Sequence, residues 1–117
     1  MNRVEETQAR LILERVVVEY ADRTLVDQLG YVSSLSRDEN ASMFFNINLR
    51  TGNAASKCPN GPLNIHAEYT DEKGEVVGFV LVFIDHGVLS HIEAPWTTEE
   101  IPSSWPTVDA VKIMPVS

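Results

Sequence analysis

The sequence predicts an α+β domain in which an N-terminal amphipathic helix packs on a four- to five-stranded antiparallel meander. Three observations predict this fold. Apolar residues recur at helical spacing near the start of the chain, they alternate with polar residues from residue 31 onward, and short turns rich in Gly, Asp and Asn separate the alternating stretches. Since tight turns join antiparallel neighbours, the strands form a meander, and the apolar stripe of the helix needs a sheet to cover it.

The length of 117 residues fits a single domain, residues 1–117. It divides into a helical part (4–29), an antiparallel sheet (31–96) and a Trp/Pro-rich C-terminal segment (95–117).

The first element is a helix predicted over residues 4–21. Its apolar stripe has the spacing i, i+3, i+4, i+7 and consists of Ala9, Ile12, Leu13, Val16, Val17 and Tyr20. Opposite charges four residues apart, such as Glu6 and Arg10, support the helix on its polar face. Asp22 or Thr24 then begins a short second helix, and Gly30 suits the C′ position that follows it.

The sheet follows from alternation of period two. The predicted strands cover residues 41–50, 63–70, 76–84, 88–96 and, as a short final strand, 110–116. The stretch 76–84 is apolar on both faces, which is typical of a central strand. The Gly- and Pro-containing stretches 51–62 and 95–106 are predicted loops.

The net charge of −8 is unevenly placed, because residues 61–117 alone carry −7. Nine scattered basic residues form no basic stripe, so nucleic acid and anionic membranes are not expected as direct partners. A basic protein is an electrostatically complementary partner. The alternative is that the acids only keep a small domain soluble.

The chain gives two indications of its compartment. Cys58 is the single cysteine, which fits a reducing environment. No apolar stretch follows Met1, and the longest apolar run, 76–84, is too short to span a bilayer. We therefore expect a soluble, cytoplasmic protein of bacterial type.

Two His-x-Glu pairs are the most suggestive chemical constellation: His66 with Glu68, and His91 with Glu93. Imidazole and carboxylate groups serve metal sites and acid–base catalysis. With strand 76–84 between them, the pairs would lie about 9–10 Å apart, and Phe79 or Val80 would separate them. The sequence contains no nucleophile motif and no phosphate-binding glycine loop, so we expect neither an enzyme nor a bound cofactor.

The segment 96–106 contains two tryptophans, prolines and two acids, Glu99 and Glu100. Tryptophan is enriched in binding hot spots, and proline lowers the entropy lost on docking. The alternative is that Trp96 and Trp105 form a lid over the open end of the core.

The stretch 78–93, GFVLVFIDHGVLSHIE, resembles the strand–turn–strand segment of small bacterial immunity-type proteins from polymorphic toxin and contact-dependent inhibition systems. Trp105-Pro106 is similar to the tail of those proteins, and an amphipathic helix precedes the sheet in both. His86 between Asp85 and Gly87 departs from their D-G turn. The similarity covers mainly the C-terminal half, and it implies an acidic inhibitor of a toxin domain.

The leading hypothesis is therefore an immunity-type binding protein that neutralises a cognate basic toxin, with a nuclease as the first toxin class to consider. The predicted partner-binding residues are Glu68, Glu93, Glu99, Glu100 and Trp105, with Asp71, Glu72 and Glu75 as a second patch. The alternative is a small metal- or ligand-dependent enzyme that uses the four residues of the His-x-Glu pairs. A third possibility is a homo-oligomer formed through an exposed strand edge.

Overall fold

The computed structural model describes residues 3–114 and has an N-terminal helix packed on antiparallel sheets, which confirms the predicted α+β class. The helices are α1 (Arg3–Tyr20) and α2 (Arg23–Leu29). The strands are β1 (Val32–Arg37), β2 (Phe44–Leu49), β3 (Gly61–Pro62), β4 (His66–Thr70), β5 (Val76–Phe79), β6 (Leu81–Asp85), β7 (Val88–Glu93) and β8 (Val111–Met114). A 3-10 turn, Val108–Ala110, precedes β8. The predicted strand 110–116 thus has its last two residues outside the described range.

The two helices follow their sequence signals closely. The predicted apolar stripe of α1 is buried except for Tyr20, which is half-buried. Ala21 adopts a left-handed conformation (φ 66°) and ends α1, and the Asp22 carboxylate accepts the N–H of Leu25 at 3.0 Å to cap α2. Gly30 follows α2 directly, with φ −69°, and the N–H groups of residues 30 and 31 donate to Asp27 and Gln28 to close the helix end.

The strands form two sheets rather than one. The five-stranded sheet has the order β1-β2-β7-β6-β3, and the three-stranded sheet has the order β5-β4-β8. The hairpins β4–β5 and β6–β7 match the turns that the sequence predicts. The pairings of β2 with β7 and of β4 with β8 join segments far apart in the chain.

The division between the sheets falls at Val80, inside the stretch predicted as one strand. The N–H of Val80 donates to Ala67 at 2.9 Å, while β5 and β6 pair in different sheets. Alongside β5, the chain that follows β7 approaches so closely that a Cβ on Gly78 would lie 2.0 Å from the carbonyl oxygen of Pro95. This close approach lets residues 95–97 cover the outer edge of β5, with the N–H of Thr97 donating to Val77.

The core is one cluster of buried apolar side chains from both helices and both sheets. The free edge of β1 is covered by α1: Arg10 donates to the carbonyl of Val32 at 3.0 Å, and Glu6 accepts the N–H of Leu35 at 3.2 Å. Side chains from a helix thus satisfy part of an edge that would otherwise invite pairing with another chain.

Candidate functional site

Four of the nine acidic residues in the stretch 61–117 line one surface groove of about 1160 Å³. One wall is the end of β4 with the β4–β5 turn, and the other is the Trp/Pro-rich segment, from Thr97 to Thr107. The lining carboxylates are Asp71, Glu72, Glu99 and Glu100. Lys73 is the one basic residue among the described residues that line the groove, so the lining carries a net charge of −3.

The turn wall is held by its own acid. One oxygen of Asp71 accepts the N–H groups of Lys73 and Glu75 at 2.9 and 3.0 Å, and Gly74 provides the left-handed residue of the turn (φ 81°). Asp71 therefore stabilises the turn in addition to contributing charge to the groove. Glu72 is exposed beside it, and Glu75, also exposed, is not among the groove-lining residues.

The loop wall is fixed at both ends. At its start, the backbone N–H and the hydroxyl of Thr97 both donate to the carbonyl of Val77, at 2.8 and 3.1 Å. At its end, the Glu5 carboxylate accepts the backbone N–H of Trp105 and also pairs with Arg37 at 3.0 Å. Glu99 and Glu100 lie between these anchors and are exposed.

Trp105, one of the predicted binding residues, lines the groove with a buried side chain. Its side chain is only 2% exposed and packs edge-on against Phe45, with ring centroids 5.1 Å apart. A partner cannot reach this indole without opening the loop, so Trp105 supports the groove from the core side. Trp96 is half-buried and contacts the core beside Gly78.

Glu68 and Glu93 lie outside the groove, each beside its own histidine. His66 contacts Glu68 at 3.1 Å on β4, and His91 contacts Glu93 at 3.4 Å on β7. The first pair lies on the three-stranded sheet and the second on the five-stranded sheet, and all four residues are exposed or half-buried. Five of the eight predicted binding residues, the four carboxylates and Trp105, thus line the groove, whereas Glu68 and Glu93 lie outside it on different sheets.

Each histidine of the two His-x-Glu pairs packs against its own aromatic neighbours. His91 stacks between Phe44 and Phe83, with centroid distances of 4.5 and 4.3 Å, and His66 meets Phe79 edge-on at 5.5 Å. Within residues 3–114, no group of three or more His, Cys, Asp and Glu residues is arranged to hold a metal ion. The four residues of the alternative enzyme hypothesis therefore form two local pairs, not one cluster.

Two tyrosines have raised pKa values, one because it is buried and the other because it contacts the single cysteine. Burial raises the pKa of the Tyr69 phenol to about 12, and its hydroxyl donates to the carbonyl of Ala94 at 2.9 Å. Cys58 is half-buried, and its sulfur lies 3.5 Å from the Tyr20 hydroxyl. This hydrogen bond is the main cause that raises the pKa of Tyr20.

Sequence reasoning missed two buried polar residues that position the site. Glu5 is 8% exposed and anchors the loop wall, and Gln28 is 1% exposed and joins α2 to the β6–β7 hairpin. Both stand on apolar helix stripes: Glu5 lies four residues before Ala9, and Gln28 lies three residues after Leu25. A polar residue on the buried stripe was the signal available in the sequence.

Comparison with known proteins adds no family to this description: no family model, no curated protein and no solved structure matches the chain. The resemblance to immunity-type proteins stays a prediction. Neither helix in the described part of the chain is long and apolar enough to cross a membrane. The groove and its carboxylates are the features from which function must be inferred.

Proposed function

We propose that this chain is an acidic immunity-type binding protein of the bacterial cytoplasm that neutralises a basic toxin domain by direct complex formation, with a nuclease as the leading toxin class. The observation that carries this proposal is the groove. Two chain segments about 30 residues apart each contribute a pair of neighbouring carboxylates to it, Asp71 with Glu72 and Glu99 with Glu100.

The charge of the groove sets the kind of partner it attracts. A lining of net −3 on a chain of net −8 attracts a positively charged surface and repels nucleic acid. Proteins that bind nucleic acid present Lys and Arg to phosphates, and carboxylates can occupy the same basic cleft. An inhibitor of a nuclease therefore needs no catalytic residues of its own.

The anchoring of the groove walls supports binding as well. Asp71 holds the turn wall, and the loop wall is attached at Thr97 and, through Glu5, at Trp105, so the two segments that carry the carboxylates are tied to the fold before a partner arrives. Preorganised groups lose less conformational entropy on binding, which leaves more of the interaction energy for affinity.

Co-expression with the protein encoded by the adjacent gene tests the proposal. We expect that protein to carry a basic domain that kills a bacterial host when expressed alone and forms a complex with this chain when co-expressed. Glu99→Lys/Glu100→Lys should weaken the complex about 10-fold or more and should slow association, chiefly at low salt.

The matched control is Glu19→Lys/Glu39→Lys, which changes the charge equally at two exposed positions outside the groove. Glu93→Lys reports separately on the sheet surface. An adjacent protein that forms no complex, or a complex unaffected by salt and by both Glu99→Lys/Glu100→Lys and Glu93→Lys, would overturn the proposal.

A further inference from the structure

The loop wall of the groove carries unpaired main chain as well as charge. From Glu99 to Ser104, no backbone N–H donates a hydrogen bond to another described residue. By contrast, the N–H groups at the two ends, Thr97 and Trp105, are bonded to Val77 and Glu5. The middle of this wall can therefore form main-chain hydrogen bonds with a segment laid beside it.

The groove lining also includes apolar residues. Val77, Pro102 and Ile101 are among its lining residues, and the Ile101 side chain is 58% exposed. The exposed isoleucine beside two carboxylates offers a surface on which an apolar side chain of a partner can pack. A matching segment would carry apolar side chains between its cationic ones.

We propose that the groove takes one extended peptide segment of the partner in which Lys or Arg alternates with apolar residues. This inference rests on the proposed function and specifies how the partner is recognised. The carboxylates of both walls are complementary to the cationic side chains, and Ile101 contacts the apolar ones.

The extended conformation follows from the main chain. An extended segment has free N–H and C=O groups that can pair with the wall, whereas a helix has used its own internally. Side chains of an extended segment point alternately to two sides, so a segment in which charged and apolar residues alternate presents its cationic side chains on one side and its apolar side chains on the other.

Fluorescence anisotropy with synthetic peptides tests this inference. The main probe is a labelled heptapeptide of alternating lysine and valine. The comparison probes are heptalysine, which has more charge but no apolar residue, and the alternating peptide N-methylated at every residue after the first, whose methyl groups block both edges of its main chain from pairing with the wall. We expect the alternating peptide to bind about 10-fold more tightly than either comparison probe.

Variants of the protein locate the binding. The affinity for the alternating peptide should fall about 10-fold in Glu99→Gln/Glu100→Gln, and it should also fall in Ile101→Ser. Glu19→Gln/Glu39→Gln should leave its affinity within about 2-fold, because these positions are not among the residues that line the groove. Circular dichroism of each variant confirms that it is folded.

Equal binding of heptalysine or of the N-methylated peptide would overturn the inference, since either result means recognition by charge without the extended main chain. Failure here is distinguishable from failure of the proposed function. If the adjacent protein is captured with dependence on Glu99 and Glu100 but no peptide binds, the extended-segment inference is wrong and the proposed function stands. If the peptides bind as expected but the adjacent protein does not, the proposed function is wrong and the groove still binds extended segments.

Discussion

Replacing Gln28 with methionine tests the buried hydrogen bonds that fix α2 to the β6–β7 hairpin. The Gln28 amide donates to the carbonyls of Ala54 and Gly87 at 2.8 and 2.9 Å, and its oxygen accepts the N–H of Leu89 at 2.9 Å. Methionine keeps the length and unbranched shape of the side chain but can form none of these bonds.

The three bonds contribute unequally to the expected loss. The N–H of Leu89 is buried and would have no partner, which costs about 1–3 kcal/mol. The carbonyl of Gly87 keeps the N–H of Ser56 at 2.8 Å, and Ala54 is exposed to water, so losing these two bonds costs about 0.5–1 kcal/mol each. We therefore expect Gln28→Met to lower the free energy of unfolding by about 3 kcal/mol, which for a domain of this size lowers Tm by about 10–15 °C.

Urea denaturation followed by tryptophan fluorescence measures this loss, with Gln8→Met as the matched control. The Gln8 side chain accepts a single hydrogen bond, from the half-buried N–H of Val108 at 2.7 Å, so its replacement should cost about 1 kcal/mol or less. If Gln28→Met costs no more than Gln8→Met, the buried amide does not hold the hairpin and the reasoning is refuted.

Two further predictions concern the junction of the sheets. Gly78→Ala should lower the free energy of unfolding by about 3 kcal/mol or more, because the added Cβ would lie 2.0 Å from the carbonyl oxygen of Pro95. The control Gly30→Ala, whose Cβ would meet only an ordinary 3.5 Å contact, should change the free energy of unfolding by less than about 1 kcal/mol. Equal losses in the two variants would contradict the close approach at Gly78. Because burial raises the pKa of Tyr69 to about 12 from 10.0, the folded chain keeps a proton that the unfolded chain loses, so stability should fall as pH rises through this interval. Tyr69→Phe should remove that part of the decline in stability curves measured against pH; an unchanged decline would show that another group causes it.

The predicted groove carboxylates show how far sequence reasoning reached in the site. Asp71 with Glu72 and Glu99 with Glu100 were predicted as binding residues, but they were assigned to separate patches. Their meeting in one groove depends on the crossing of residues 95–97 beside β5, which no local pattern encodes. For Trp105 the sequence leaves both a binding role and a lid over the core open, because a tryptophan suits either an interface or a core; its packing against Phe45 is a contact that only the tertiary structure shows.

The sequence by itself determined the local elements: the amphipathic α1, the cap at Asp22 and the turn-linked hairpins β4–β5 and β6–β7. These depend on periodicity and on side chains within a few residues of each other, so a linear pattern contains them. The tertiary structure decided that the strands form two sheets, that the chain changes sheet at Val80, and that Glu5 and Gln28 are buried on helix stripes. Those outcomes depend on contacts between residues that are not sequence neighbours, such as Val80 with Ala67, Glu5 with Trp105 and Gln28 with Leu89. The energy of such contacts exists only once the segments have packed.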